Sequence, residues 1–492
     1  MISSFLLVSL NMDAILGEVT LHQRRKKLDE MTKGESLGDA YSVTLSRVKA
    51  QQGSKSKLGM EVLMWVSHSE RPLHVHELCH ALGVEEGSTN LDIRNVPAIE
   101  TLIACSLGLV TVEKSSSTVR LIHYTLKEYL SHNSDLFLKP HSVIAEVCLT
   151  YLNFRHVRDF SPTLCFIPPT IPFAKYASCY WGTHARRETS ESVKRLALEL
   201  LDGYDKHISS KMLLLCGMGS CDRPLDREDS PRGFTGLHCA AYLGCVEITV
   251  ALLELNKWDV WATDFNGNTA IAWAARRGHA GVVRILLEQG DVGHNTADTL
   301  YGLTPLAWAA RNGHEGVVEI LLERSSISPD TADTLYGRTP LSWAARNGHE
   351  GVVRMLLERN DVNPNTADTL YGQTPLSRAA ENGREGVVRM LLKRKDVNPN
   401  TADTIYGQTP LSWAAENGHE GVVRVLLERN DVDPGIVDNK YGRTPLSWAA
   451  RKGHGGVVRI LLEQDNANPN ALTTNMARFR PPRAARNRHA GS

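Results

Sequence analysis

Between residues 235 and 450 the chain returns seven times to one short string, T-[PGA]-[LI]-x-x-A-A, opened by Thr235, Thr269, Thr304, Thr339, Thr374, Thr409 and Thr444. The spacing is 34 residues once and then 35 residues five times. With small variations, each unit continues as N-G-H-E-G-V-V-R-x-L-L-E-R and D-V-N-P-N-T-A-D-T-L-Y-G before the next Thr. A period this short holds one supersecondary unit, which cannot bury a core alone, so the copies must stack into a solenoid.

The fourth copy shows the local chemistry. Thr339 is placed to cap a helix, and Pro340 follows at the first helical position, where a missing N–H is no loss. Leu341, Ala344 and Ala345 give that helix a small apolar side, and Gly348 ends it by adopting a left-handed conformation. The pattern predicts a second helix from about Glu350 to Arg359, with Val352, Val353, Met355, Leu356 and Leu357 as its apolar face. Glu350 and Arg354 have the favoured i,i+4 order, Asn360 is the expected C-cap, and Pro364 and Gly372 belong to a hairpin-like loop.

The motif T-P-L-x-x-A-A…G-H…V-V…L-L resembles the ankyrin repeat over about residues 231–470. The resemblance implies a solenoid with a concave groove and projecting fingers, built to hold another macromolecule. Two departures stand out. The period exceeds the usual ankyrin length of about 33, which lengthens the finger. The His after T-P-L occurs only at His238; Ser342, Ser377, Ser412, Ser447 or Ala307 stands there in other copies, which predicts weaker bonding between repeats.

The N-terminal half reads differently. Leu58–Val66 is helical by pattern, Arg71-Pro72-Leu73 opens a second short helix ending at Gly83, and Val96-Pro97 opens a third reaching about Leu107. The strand-like runs Leu109–Glu113 and Thr118–His123 flank the turn Lys114–Ser117, and a further helix starts at Leu126. Three helices and a hairpin make a winged helix. The strings MEVLMWVSHSERPL, ELCHALGVE, GLVTVEKSSSTVRLIHYTLKEYL and YASCYWGTHARRE resemble the region after the nucleotide-binding domain of fungal NLR-like proteins of NACHT–ankyrin type. The winged helix is similar to that named after GPI inositol-deacylase. Five segments are expected: 1–57 as a helical remnant resembling the end of a NACHT domain, 58–135 as the winged helix, 136–230 as an α-helical connector, 231–470 as seven repeats, and 471–492 as a basic disordered tail. The fold class is mainly α.

The resemblance implies that the chain corresponds to the back half of such a receptor, because G-x-x-x-x-G-K-[ST] is missing; Gly53-Ser54-Lys55-Ser56 lacks the first glycine and a preceding strand. No nucleotide or other cofactor is expected. His123 matches a phosphate-proximal His of NACHT proteins, a nucleotide sensor only in a full-length receptor; as a bare residue it reads as a satisfied polar group. His76-Glu77-Leu78-Cys79-His80 spells H-E-x-x-H, the zinc-hydrolase pattern of two ligands and a general base. Its segment is short, boxed between Pro72 and Gly83, and Glu86 stands where a third His would be needed, so a chance match is expected.

Composition narrows the partners. Formal net charge is zero, and the expected third winged-helix element, Pro97–Cys105, has no Lys or Arg and one Glu, so neither global charge nor a basic reading helix favours DNA. No apolar run approaches the roughly 20 residues of a membrane helix. MISSFLLVSL lacks the basic start and cleavage site of a signal peptide, and nine scattered cysteines read as reduced core residues, so a cytoplasmic protein is expected, with the nucleus as a second location. Arg478, Arg480, Arg483, Arg486 and Arg488 fit a solvated terminus better than an RNA-binding arm.

A non-enzymatic protein-interaction scaffold is therefore expected, with a nuclear DNA-associated regulator and the zinc hydrolase as rivals. Substitutions among the copies mark the expected partner surface. The residue before T-P varies as Leu303, Arg338, Gln373, Gln408 and Arg443, and the residue after A-A as Arg311, Arg346, Glu381, Glu416 and Arg451, while the Val-Val and Leu-Leu pairs stay constant. Trp273, Trp308, Trp343, Trp413 and Trp448 precede A-A, with Arg378 breaking the series; their rings are expected to be half-packed with reachable rims. The seventh repeat keeps the apolar residues of internal copies, so Val458 and Leu461 are expected to be uncovered and to promote fraying or self-association.

Overall fold

The computed structural model describes residues 19–32, 37–161, 168–217, 231–290 and 293–463. They fall into two compact units, residues 1–259 and 260–492. The basic tail and the opening MISSFLLVSL lie outside the described residues.

In the first unit, α1 (Leu21–Thr32) and α2 (Leu37–Lys49) precede α3 (Ser54–His68). Then come β1 (Leu73–His74), α4 (Val75–Leu82), α5 (Ile99–Cys105), β2 (Val110–Glu113), β3 (Thr118–Leu121) and α6 (Tyr124–His132). The strands form one antiparallel sheet in the order β1-β3-β2, with Leu73 opposite Val119 and Val112 also opposite Val119. This corrects the expected start of the second helix: Leu73 and His74 are extended, and the helix begins at Val75. Glu77 causes the delay by turning back to accept the His74 N–H at 2.8 Å, closing a capping box.

The connector contributes α7 (Pro140–Asn153), α8 (Arg155–Arg158), α9 (Ala174–Arg187), α10 (Glu191–Leu201) and α11 (Ile208–Gly217). Its core is aromatic: Tyr151, Phe154, Phe173, Tyr176 and Trp181 are fully buried, and Trp65 of α3 meets Phe173 edge-on at 5.6 Å. Cys179 and Cys216 are paired as a disulfide, which corrects the reading of every cysteine as reduced; Cys79, Cys105, Cys148, Cys239 and Cys245 are free and buried. The first repeat, helices Gly236–Leu243 and Val246–Glu254, packs on this connector. Gly236 and Gly182 leave no room for a Cβ against Leu201 and Leu243, and Arg186 donates to the Leu243 carbonyl at 3.3 Å.

The second unit carries repeats two to seven, each a pair of short helices. In the fourth, Pro340–Asn347 and Glu350–Leu357 are joined by Gly348 at φ +85°, and the Thr339 hydroxyl accepts the Ser342 N–H. The second helix is capped by Glu358, two residues before Asn360, and Glu350 reaches into the next repeat: its carboxylate fills the space a Cβ on Gly386 would need. Bonds between repeats come from histidines other than those missing after T-P-L. His314, His349, His419 and His454 donate Nε2 to the carbonyls of Arg276, Arg311, Glu381 and Glu416 at 2.9–3.1 Å. In the seventh repeat Leu461 is buried, contrary to the expectation that it lies open, and its helix packs on the first helix of its own repeat and the second helix of the sixth; Val458 is half-buried and Leu462 is 51% exposed.

Two consequences can be measured. Gly383 has φ +69°, and a Cβ there would lie 2.7 Å from the His419 ring, so Gly383→Val should cost roughly 1–3 kcal/mol and loosen amide protection across residues 374–443. An unchanged exchange pattern there would contradict stacked repeats. In the connector, burial first, then His141, Arg187 and His68, pushes His184 down to about 3, its Nδ1 2.8 Å from that of His141. Only one of those facing nitrogens can carry hydrogen, so the two rings cannot both be protonated in the folded chain, and burial keeps His184 neutral. The unfolded chain, with an ordinary His near 6.5, binds the proton first, so stability falls as pH drops from about 6.5 toward 3. Thermal melting at pH 5 against pH 7 should show a loss of roughly 2 kcal/mol that His184→Gln diminishes.

Candidate partner-binding groove

From the second repeat to the seventh, one buried Asp sets each loop. Asp333 Oδ1 accepts the Tyr336 N–H at 2.6 Å, and Oδ2 accepts the Arg338 N–H at 3.1 Å and the Trp343 indole N–H at 2.9 Å. The Asp333 N–H returns to the Arg338 carbonyl at 2.9 Å. The indole bond recurs as Trp273–Asp264 at 2.8 Å, Trp308–Asp298 and Trp413–Asp403 at 3.1 Å, and Trp448–Asp438 at 3.0 Å. Tyr301, Tyr336, Tyr406 and Tyr441 then pack edge-on against the following Trp at 5.7–6.0 Å.

This arrangement corrects the expected surface. Trp308 and Trp343 keep 2% of their surface and Trp448 6%, because the indole N–H is drawn inward to the Asp; Trp413 alone of the four is half-buried. The residue before T-P is not an exposed groove position either. Arg338, Gln373 and Gln408 are buried and Arg443 is half-buried, since the Asp-centred turn holds that residue's backbone inside. The residue after A-A fits the expectation better: Arg311, Arg346, Glu381 and Glu416 are half-buried and Arg451 is exposed. Arg311 lies over the rings of Trp308 and Trp343 at 5.2 and 4.6 Å, so packing fixes its direction.

The fifth repeat differs. Arg378 replaces Trp and sends Nε to Asp368 at 2.9 Å and Nη1 to Glu381 at 3.0 Å. Beside it opens a pocket of about 410 Å³ that brings together the expected residues Arg338, Arg346, Gln373, Arg378, Glu381 and Trp413. It also uses Tyr336, Leu370, Tyr371 and Tyr406, which the sequence reading passed over. The Tyr-Gly pair that recurs two residues before each T-P, as L-Y-G, I-Y-G at Tyr406 and K-Y-G at Tyr441, was the available signal. Burial, with Arg378 and Arg346 adding like charge, lowers the Arg338 guanidinium to about 10.

The other sequence-marked residues are engaged locally. Glu77 accepts two hydrogen bonds from Arg71 at 2.7 and 2.8 Å, His80 Nδ1 meets the Tyr151 hydroxyl at 3.1 Å, and His76 stacks on His74 at 5.6 Å, so the H-E-x-x-H side chains face different partners. Among the described residues no group of three or more His, Cys, Asp or Glu side chains could hold a metal ion. His123 caps α6, its Nδ1 2.8 Å from the Thr125 hydroxyl. Helix α5 shows solvent Glu100, Thr101 and Ala104 and buries Leu102 and Cys105. Among the described residues no helix is long and apolar enough to cross a membrane.

Comparison with known proteins agrees with this architecture. The profile of ankyrin repeats (3 copies) matches residues 205–298, 237–333, 291–368, 327–403 and 395–473. Together these span more than half of the chain, which therefore belongs to the ankyrin-repeat family. The profile of the GPI inositol-deacylase winged helix domain matches residues 46–138, beginning before and ending after the expected 58–135. Among solved structures, the human ASB11 ankyrin repeat domain is 24% identical, with 45% of this chain and 96% of that one covered and a TM-score of 0.38. The ankyrin repeat domain of Bcl-3, a member of the IkappaB family, is 23% identical, with 46% and 99% covered and a TM-score of 0.40. No curated protein matches the sequence.

The Asp–indole bond makes a direct test. Trp343→Phe keeps a ring but deletes the donor, leaving buried Asp333 short of one hydrogen bond, and should cost roughly 1–3 kcal/mol in chemical denaturation. Trp413→Phe, at a half-buried ring, should cost less. Unchanged stability in both would show that the indole N–H does not hold the loop.

Proposed function

We propose that the chain is a non-catalytic scaffold that holds a protein partner along the first helices of its repeats. One observation carries the reading: Arg311, Arg346, Glu381 and Glu416 form a series of part-exposed charged side chains at one repeat position, each anchored on a packed helix. Side chains already oriented by stacking lose little freedom on binding, which is how a rigid repeat surface gains affinity. Membership of a family whose repeat domains generally bind proteins supports this. In the further reading, the winged helix and connector ahead of the repeats make the chain the sensor and hinge part of a cytoplasmic NLR-like receptor. That context rests on the resemblance of the N-terminal strings.

The test is positional cross-linking. A photo-reactive residue at Arg311 or Glu381 should capture a protein in extracts of the source cells. The same residue at Arg424, exposed on the second helix of the sixth repeat, should not. Equal capture from both positions, or none from either, would overturn the reading.

A further inference from the structure

Repeats five and six differ at one pairing. In repeat six the Gln408 amide donates to Glu416 Oε2 at 2.7 Å. In repeat five Gln373 and Glu381 occupy the same places, but Arg378 takes the Glu381 carboxylate at 3.0 Å. Gln373 is left with 1% of its surface exposed and neither its amide nitrogen nor its amide oxygen hydrogen-bonded. Arg338, which also lines the pocket, is 4% exposed and its Nε has no hydrogen-bond acceptor; Asp368 Oδ2 is 3.6 Å away and already bonded to Arg378. Buried polar groups are nearly always paired, and leaving one unpaired costs about 1–3 kcal/mol. All three atoms belong to residues that line one pocket of about 410 Å³, which points to a ligand that supplies their partners as the two side chains turn toward it.

We propose that this pocket binds an acidic peptide segment of a protein partner, taking a Glu or Asp carboxylate between Arg338 and Arg346 and an adjoining backbone amide on Gln373. The proposal rests on the scaffold reading and adds the ligand's chemistry. A primary amide with both groups free matches the N–H and C=O of a peptide bond, which offers one donor and one acceptor. The charge balance selects the side chain. Arg378 is neutralised by Asp368 and Glu381, whereas Arg346 has no carboxylate at ion-pair distance among the described residues. A carboxylate between Arg338 and Arg346 would accept charge-assisted hydrogen bonds and offset the like charge that adds to burial in lowering Arg338. Tyr336, Tyr371 and Tyr406 supply apolar walls for the methylenes of the acidic side chain. The volume lies near the small end of ligand pockets, suited to a few residues of extended chain.

The experiment uses the full chain and fluorescent degenerate peptide pools whose central residue is fixed as Glu, Asp, Gln or Lys, read by anisotropy. The Glu or Asp pool should bind at least about tenfold more tightly than the Gln pool, and the Lys pool most weakly. Arg378→Trp restores the residue found in the neighbouring repeats and fills the pocket; it should abolish that preference while leaving the melting temperature unchanged. Should that variant fold poorly, Gln373→Leu carries the test, with an expected loss of about tenfold. Equal binding of the Glu, Asp and Gln pools, or undiminished binding by both variants, overturns the proposal. So does displacement of the peptide by equimolar inorganic phosphate, which would mark a general anion site. A protein captured from Arg311 as strongly in Arg378→Trp as in the unaltered chain would leave the scaffold standing and sink the pocket; no capture in either sinks both.

Discussion

Each repeat of the second unit turns on one buried carboxylate. Asp333 and its counterparts accept hydrogen bonds from the loop backbone and from an indole or guanidinium nine or ten residues on, while keeping only 2–6% of their surface. A charge at that depth is tolerable only when its lone pairs are met, so loop and helix must be in register together. The consequence reaches the neighbouring unit: with the loop held, the Thr334 N–H meets the Tyr301 carbonyl at 3.1 Å, and the same link recurs as Thr369 to Tyr336 at 2.9 Å and Thr404 to Tyr371 at 2.8 Å. The finger is therefore a bonded ladder.

Steric clearance does the matching work on the other helix. In E-G-V-V the Glu of one repeat lies over the Gly of the next, so that Glu315 faces Gly351, Glu385 faces Gly421 and Glu420 faces Gly456. Where Ala280 stands in place of Glu, a Cβ on Gly316 would meet only an ordinary contact at 3.9 Å. These glycines exist for space, whereas Gly348 and Gly383 exist for their positive φ. A repeat sequence can thus hold two residues constant because they touch across copies, although they are adjacent in the string.

The fifth repeat is the place where this regularity breaks. Substituting Arg for Trp at 378 keeps the Asp368 bond but captures Glu381, and the effect passes to Gln373 through a lost partner. One change in a conserved frame thereby produces a pocket with unmatched polar atoms. Duplicated repeats can acquire chemistry in this way without disturbing the stacking that supports them.

The helix pairs, their caps at Thr339 and Gly348, and the solenoid were legible from the sequence because each rests on local chemistry repeated at a fixed period. The three helices and hairpin of the winged helix were legible for the same reason; β1 was not, since two residues carry no pattern and pair only once β3 is beside them. The charged positions after A-A, marked by their variation among the copies and by the groove that the ankyrin resemblance implies, are part-exposed or exposed. The burial of Trp343, Arg338 and Gln373 was not foreseeable, because it depends on an Asp in the loop closing onto the helix and on the next repeat covering both. Sequence alone therefore determined that this chain stacks helix pairs and displays variable charges. Tertiary structure decided which of the varying side chains remain reachable and which lie buried, because burial of a side chain is a property of its neighbours in space.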